Sequence, residues 1–549
     1  MTFLDEIHAR YDELDTQLSA SPSASGSLKI VADWNTVRTR WETWAAKRRL
    51  AFSQNTADPA ARTALAEYEQ ASPLVDEREV RVKRVLLSSP HRGLLESEYG
   101  SQAFALWKAD IAAFEPAVIA DSIRESELTR EYKELIGGAS IPFEGADRTL
   151  SAVMAFAQFP DRDLRTRAET ARFEIFAQRK PQLDRIYDDL VRVRDRMART
   201  LGFENFVDLG YHRMHRIDFG PQDVARYRDD IVEHIVPVVQ TILAERKSAL
   251  HLEELYYWDE SALFPEHDVR PLGDQAWVLE RFAESFEAMH PDLGAFARFM
   301  LGRGLLDVDG RANKAYGAFC TTFATERVPF VFANFNGSRA DIKTLFHEMG
   351  HAYQSYASRD QRLFDYLTPT SESAEIDSMG MEFLAWPQME RFFGSNAQAY
   401  QREHLIDAFL FLPYGVCVDH FQHLVYENPA ATPAERDTFW KTLEARYLPW
   451  RKYGRIGYLN EGSLWQEKRH IYLYPFYYID YTLAQCCALQ FWAKSQDDYP
   501  GTLDTYLALC KRGGEAPFGE LIKSAGLRSP FEPGVLRDVA DRAQVILGF

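Results

Sequence analysis

The chain has 549 residues, 46% of them hydrophobic and 26% charged, a composition that builds buried cores and excludes a disordered polymer. Its net charge is −18, which phosphate backbones and anionic lipids repel, so nucleic-acid and membrane-surface roles are not expected. Five scattered cysteines without a C-x-x-C pair, a charged start (MTFLDEIHARYDEL) and no long apolar run point to a soluble chain in the reducing cytoplasm.

At this length, two to four domains or one large two-lobed body is expected. The first 200 residues read as helix nearly throughout. VADWNTVRTRWETWAAKRRLAF (31–52) sets Val31, Trp34, Val37, Trp41, Trp44 and Ala45 three or four apart, an amphipathic stripe. Similar stripes run through 60–86, 102–135, 163–179 and 181–200. SASPSASGS (19–27) reads as a solvated loop. LGFENFVDLG (201–210) is less periodic and marks the soft boundary between a helical lobe, 1–200, and a second lobe, 201–549. Helices resume at 221–249 and 273–289. AYGAFCTTFATERVPFVFANFNG (315–337) is rich in Phe, Thr and Val, and reads as two or three short strands. Helical patterns return from 338 onward, and aromatic residues gather after 400, as in an aromatic-lined cleft. The fold class is therefore mostly α, with a small β-sheet.

The segment TLFHEMGHAY (344–353) carries His347 and His351 at i and i+4, one helix face with Cβ atoms about 5–6 Å apart. Both can reach one metal ion. Glu348 points about 100° away around the helix, too far for easy ligation and well placed as a general base acting on water. With 14 histidines in the chain, chance supplies only about 0.03 such motifs. A third ligand is still required. The residues three and six beyond His351 are Gln354 and Ala357, so the Gly and His of the metzincin extension are absent. A carboxylate from another helix is the remaining option. LTPTSESAEIDSMGMEFLAW (367–386) offers Glu372, Glu375, Asp377 and Glu382. Glu375 and Glu382 lie two turns apart on one face, so one can ligate while the other orients a histidine. Spacing alone does not separate Glu375 from Glu372.

FANFNGSRADIKTLFHEMGHAYQ (332–354) followed by AEIDSMGMEFL (374–384) resembles the thimet oligopeptidase and oligoendopeptidase F family of zinc metallopeptidases, and is closest to its oligoendopeptidase F branch. The resemblance covers roughly residues 150–545. It implies a two-lobed helical body with a deep central channel and a zincin-like site, binding one Zn2+ per chain through His347, His351 and Glu375, with Glu348 as base and Glu382 behind the ligands. RHIYLYPFYYIDYTLAQ (469–485) resembles the family's His-plus-tyrosine stretch. This implies His470 as a substrate contact, Tyr478 and Tyr481 as oxyanion-stabilising hydroxyls, and Tyr474 as a further substrate contact. The paired glycines of the thimet branch are missing between His470 and Tyr478. The resemblance also favours VPFVFANFNG (328–337) as an edge strand that pairs with substrate through Phe332, Ala333 and Asn334; an interior strand fits the residues equally well.

The implied activity is endoproteolysis of short unstructured peptides by a monomer or homodimer. A metallocarboxypeptidase is the alternative, with Arg469 as the candidate for a terminal carboxylate; a non-catalytic peptide-binding protein is another. A rival metal face, His420, His423 and Glu427 in DHFQHLVYE (419–427), has no carboxylate directly following either histidine and reads as an ordinary helix.

Overall fold

A computed structural model describes residues 2–20, 22–260, 262 and 269–548. It is mostly helical, with two small sheets. Long helices Phe3–Ser19, Ala24–Gln54 and Pro59–Ser88 open the chain. Tyr11, Trp34, Trp41, Trp44, Val75 and Trp107 form a compact apolar core among them, joined by Leu363 and Tyr366 from far along the chain. The loop expected over 19–27 is shorter. The Ser23 hydroxyl accepts the Gly26 N–H and starts the second helix at Ala24, a serine N-cap that the small-residue composition concealed. Ser21 lies outside the described residues.

A second, larger core takes in Phe114 and most buried apolar residues beyond it, with Val80 reaching in from the third helix. Val80, Leu363 and Tyr366 aside, the smaller core draws on residues up to Trp107 and the larger on residues from Phe114 onward. The periodicities at 163–179 and 181–200 belong to one helix, Arg162–Thr200, which runs through Pro181. Buried Phe173 and Phe176 on one side and Leu183, Ile186 and Tyr187 on the other hold it against the local cost of proline, a case of tertiary packing overriding propensity. The stretch 102–135 is two helices, Gln102–Ala112 and Ile119–Gly137. A small hairpin, β1 (Ile141–Phe143) with β2 (Ala146–Arg148), was not signalled by its three-residue strands.

The larger sheet comprises β3 (Leu306–Asp309), β4 (Phe319–Phe323) and β5 (Val328–Phe335), in the order β3-β5-β4. β5 is therefore the central strand, parallel to β3 and antiparallel to β4, and the expectation of an edge strand at 328–337 is corrected. Phe332 and Ala333 are fully buried. The Ala333 carbonyl accepts from Lys314 Nζ, and the Asn334 amide donates to the carbonyls of Ala315 and Gly317. The two edge strands are β3 and β4. The HEMGH helix (Arg339–Ala357) packs against β4 and β5 on one side and against the acidic helix (Ser371–Leu384) on the other. The acidic helix is backed in turn by the tyrosine helix, Tyr478–Asp497. Among the described residues, no helix is long and apolar enough to cross a membrane.

Candidate metal centre

Ile342, Leu345, Phe346, Met349 and Tyr353 bury one face of the HEMGH helix, and this fixes which way the opposite face looks. His347 and His351 look away from that core, their side chains 19% and 21% exposed. Gly350 makes the next contact possible. A Cβ at that position would lie 2.4 Å from the Asp377 carbonyl oxygen and 2.8 Å from Ser378 Cα. The absence of a side chain lets the acidic helix press directly on the HEMGH helix and brings Glu375 to the two histidines.

His347, His351 and Glu375 form a group whose ligand atoms all lie within 4.8 Å of one another. The Nε2 atoms of His347 and His351 are 3.4 and 3.3 Å from Glu375 Oε2. A tetrahedral zinc with bonds of about 2.0–2.1 Å spaces its ligands by about 3.3 Å, so the donors stand where such an ion would hold them. Two imidazoles and one carboxylate suit zinc and leave one coordination position open, as in catalytic rather than closed structural sites. Glu372 is elsewhere. Its Oε1 accepts the Thr370 hydroxyl at 2.6 Å, and burial together with nearby Asp480 raises its pKa to about 8.

The candidate ligands are themselves held. His347 Nδ1 lies 2.7 Å from Glu382 Oε1. A carboxylate only accepts, so Nδ1 carries the proton and Nε2 is free for the metal. Glu382 Oε2 takes a second bond from His404 Nε2 at 2.8 Å, and Trp386 Nε1 donates to His404 Nδ1 at 2.9 Å. Glu375 receives the Tyr477 hydroxyl on Oε1 at 2.6 Å, and the Ser378 hydroxyl sits 2.8 Å from Oε2. Sequence reasoning missed His404, Trp386, Ser378 and Tyr477 as parts of the site. Ser378, three residues beyond Glu375, and Tyr477, inside the tyrosine stretch, had a local signal. Burial opposes charge on Glu375 and Glu382, but His351 and His347 pull the first well below the usual carboxylate range, and Lys343 with His347 and His404 lowers the second. Burial would lower His347, yet its bonds to Glu375 and Glu382 raise it to about 10. Burial also raises Glu348, whose Oε2 is enclosed and has no hydrogen-bond partner. A buried, unpartnered carboxylate oxygen beside a metal site is poised to accept a proton.

The tyrosine stretch lies across from these groups. Tyr481 Oη is 3.5 Å from His470 Nε2, and both Glu375 and Glu348 raise the Tyr481 pKa after burial does. Tyr478 is 6% exposed; its ring packs on His470 and Tyr481, with the Lys468 ammonium 5.2 Å above it. Tyr474 is 47% exposed and packs against His470 and Tyr477. His347, His351, His470, Tyr477 and Tyr481 are all half-buried. The rival face at 419–427 does not converge. His420 bonds Tyr447 Oη at 2.9 Å, His423 lies 3.2 Å from Tyr211 Oη, and Glu427 is exposed.

Residues 155–541 match the model of peptidase family M3, and residues 2–114 match that of the peptidase M3 N-terminal domain. Oligopeptidase PepF of Bacillus subtilis (strain 168) is 22% identical over 450 residues, 76% of this chain and 64% of that protein. The oligoendopeptidase F homolog of Borreliella burgdorferi is 22% identical over 294 residues, covering 52% of this chain and 49% of its own length. The chain thus spans less than two thirds of these curated relatives. The solved structure of PZ peptidase A with inhibitor 2 has a TM-score of 0.98 at 40% identity, covering 100% of this chain and 97% of the other. The structure of a putative oligoendopeptidase F from Bacillus anthracis str. Ames has a TM-score of 0.93 at 36% identity, covering 100% and 96%. A family match across the whole metal centre, carried by chains of this identity over nearly their full length, makes the protein a member of peptidase family M3.

Proposed function

We propose that the protein is a zinc-dependent endopeptidase that cuts internal bonds of short unstructured peptides in the cytoplasm, with one Zn2+ per chain, as a monomer or homodimer. The observation that carries this reading is the convergence of His347, His351 and Glu375 within 4.8 Å beside the unpartnered Glu348. Zinc bound there supplies Lewis acidity, polarising the peptide carbonyl and acidifying water. Glu348 takes the water proton and passes it to the leaving amine. Tyr481, with Tyr478 beside it on the same wall, donates to the carbonyl oxygen as charge builds on it. His470 and Tyr474 contact the peptide. Of the two edge strands, β4 is the one suited to pair with an extended backbone, in place of β5. It runs along the HEMGH helix, with Cys320 close enough for Glu348 to raise its thiol pKa after burial does, and with Thr322 Oγ1 at 2.7 Å from Ser355 Oγ. The likeness to an oligopeptidase of the same family supports short chains as substrates.

The test compares wild type with Glu348→Gln on quenched peptides of graded length, with products identified by mass. Internal cuts by wild type alone, fading with long or folded substrates, are expected. Release of single C-terminal residues moves the assignment to a carboxypeptidase, and equal activity of the two proteins removes Glu348 from its role.

A further inference from the structure

The turn that carries the tyrosine wall has an unexpected backbone. Phe476 sits at φ +65°, a left-handed conformation that disfavours a bulky side chain and is uncommon outside glycine and asparagine. It is nonetheless fully buried and both of its backbone groups are held. Its N–H donates to Gln422 Oε1 at 2.9 Å, and its carbonyl accepts from Arg216 Nη2. The same Nη2 donates to Asp480 Oδ1 at 2.8 Å, so one guanidinium ties the turn to the first turn of the tyrosine helix. The ring is caged by Tyr211, His423 and Tyr426, with centroids 5.1–5.7 Å away. Gly210 leaves the room the ring needs, since a Cβ there would lie 2.4 Å from it.

Conformational strain at a buried residue persists only where its surroundings over-determine it, and it gathers at functional sites. Here the surroundings are two directed hydrogen bonds and an aromatic cage, and the next residue is Tyr477, whose hydroxyl reaches Glu375 at 2.6 Å. We propose that Phe476 is a positioning residue. Clamped left-handed by Gln422 and Arg216, it sets where Tyr477 meets the metal ligand and where the tyrosine helix begins, and hence where Tyr481 stands against the substrate carbonyl. A glycine could adopt the same angle but would leave the turn free to flex; the caged phenylalanine makes the wall rigid. The inference rests on the peptidase reading for its catalytic consequence, and on the backbone alone for its structural half.

Both halves can be measured. Gln422→Met removes the acceptor, and Gln422→Glu keeps an acceptor oxygen. In Gln422→Met, kcat for a quenched peptide should fall by about 10²-fold, the order expected for an ångström-scale misplacement of a reacting group, with KM and zinc content within about twofold. Affinity for a phosphinic peptide, which mimics the tetrahedral species, should fall in step with kcat/KM. Gln422→Glu should recover most of the loss. In the metal-free protein, hydrogen exchange at 474–478 should speed up in Gln422→Met and not in Gln422→Glu. Unchanged kcat and exchange in Gln422→Met, or equal impairment of the two variants, overturns the proposal. If Gln422→Met does not fold, Phe476→Gly keeps both backbone groups and tolerates the angle; the same fall in kcat is expected, and full activity overturns it. A wild type that cleaves no peptide sinks the peptidase reading instead, and the exchange comparison still decides the clamp.

Discussion

Two helices of this protein carry histidines on one face, and among the described residues only one of the two gathers a candidate metal site. In the HEMGH helix, His347 and His351 point at a carboxylate brought in by a neighbouring helix, with ligand atoms 3.3 and 3.4 Å apart. In the helix Ala397–Glu427, His420 and His423 each end on a separate tyrosine hydroxyl, and burial lowers both pKa values to about 4. The histidine spacing is similar, but the surroundings are opposite. One pair converges on the Glu375 carboxylate, and the other is neutral and already satisfied. Side-chain spacing offers ligands; the element across the gap decides whether they share one.

The contrast can be broken experimentally at several strengths. Glu348→Gln should have the largest effect, lowering kcat by about 10³-fold with zinc content unchanged by elemental analysis, since general-base catalysis contributes about 10²–10⁴. A loss of metal in that variant would show that Glu348 ligates instead. Next, Glu382→Gln should weaken zinc affinity about 10–100-fold in chelator competition, because the carboxylate fixes the His347 tautomer. An unchanged affinity would mean that the ring is held by packing alone.

A smaller change is expected from Gly350→Ala. The added methyl collides with the Asp377 carbonyl, an overpacking cost of about 1–3 kcal/mol that should lower Tm and loosen zinc binding together. A Tm fall without any change in zinc affinity would uncouple the helix contact from the site. Smaller again is a dependence on pH. His347 in the metal-free fold is raised from 6.5 to about 10, so its contribution to stability is fully present below its unfolded value and is lost as pH rises through the folded one. Zinc takes the place of that proton. The gain in Tm on adding zinc should therefore grow from about pH 6 to about pH 9, and a flat gain would contradict binding through a neutral imidazole. At the bottom of the scale, His420→Gln should leave both zinc content and kcat unchanged, and any fall in zinc content would revive the rival face.

The motif, the carboxylate two turns from its partner and the tyrosine-rich stretch were legible because each is local, and a helix period fixes the relative direction of residues three, four or seven apart. The edge strand was misread for the opposite reason. β5 and a solvent-facing strand have the same composition, and only pairing with β3, from outside the expected 315–337 region, makes it central. His404 and Trp386 left no trace in spacing, since they reach Glu382 from outside its helix. Phe476 gave no warning either, because nothing in YPFYY announces a left-handed backbone when the groups holding it, Gln422 and Arg216, lie 54 and 260 residues away.

By itself, then, the sequence determined a helical protein with two histidines and a glutamate on a helix in a candidate metal-binding pattern, because helix periodicity is a short-range property of the backbone. Which glutamate lies with the two histidines, which strands form the sheet edges and how the tyrosine turn is held were decided only by tertiary structure, because each depends on contacts between groups that the chain brings together only on folding.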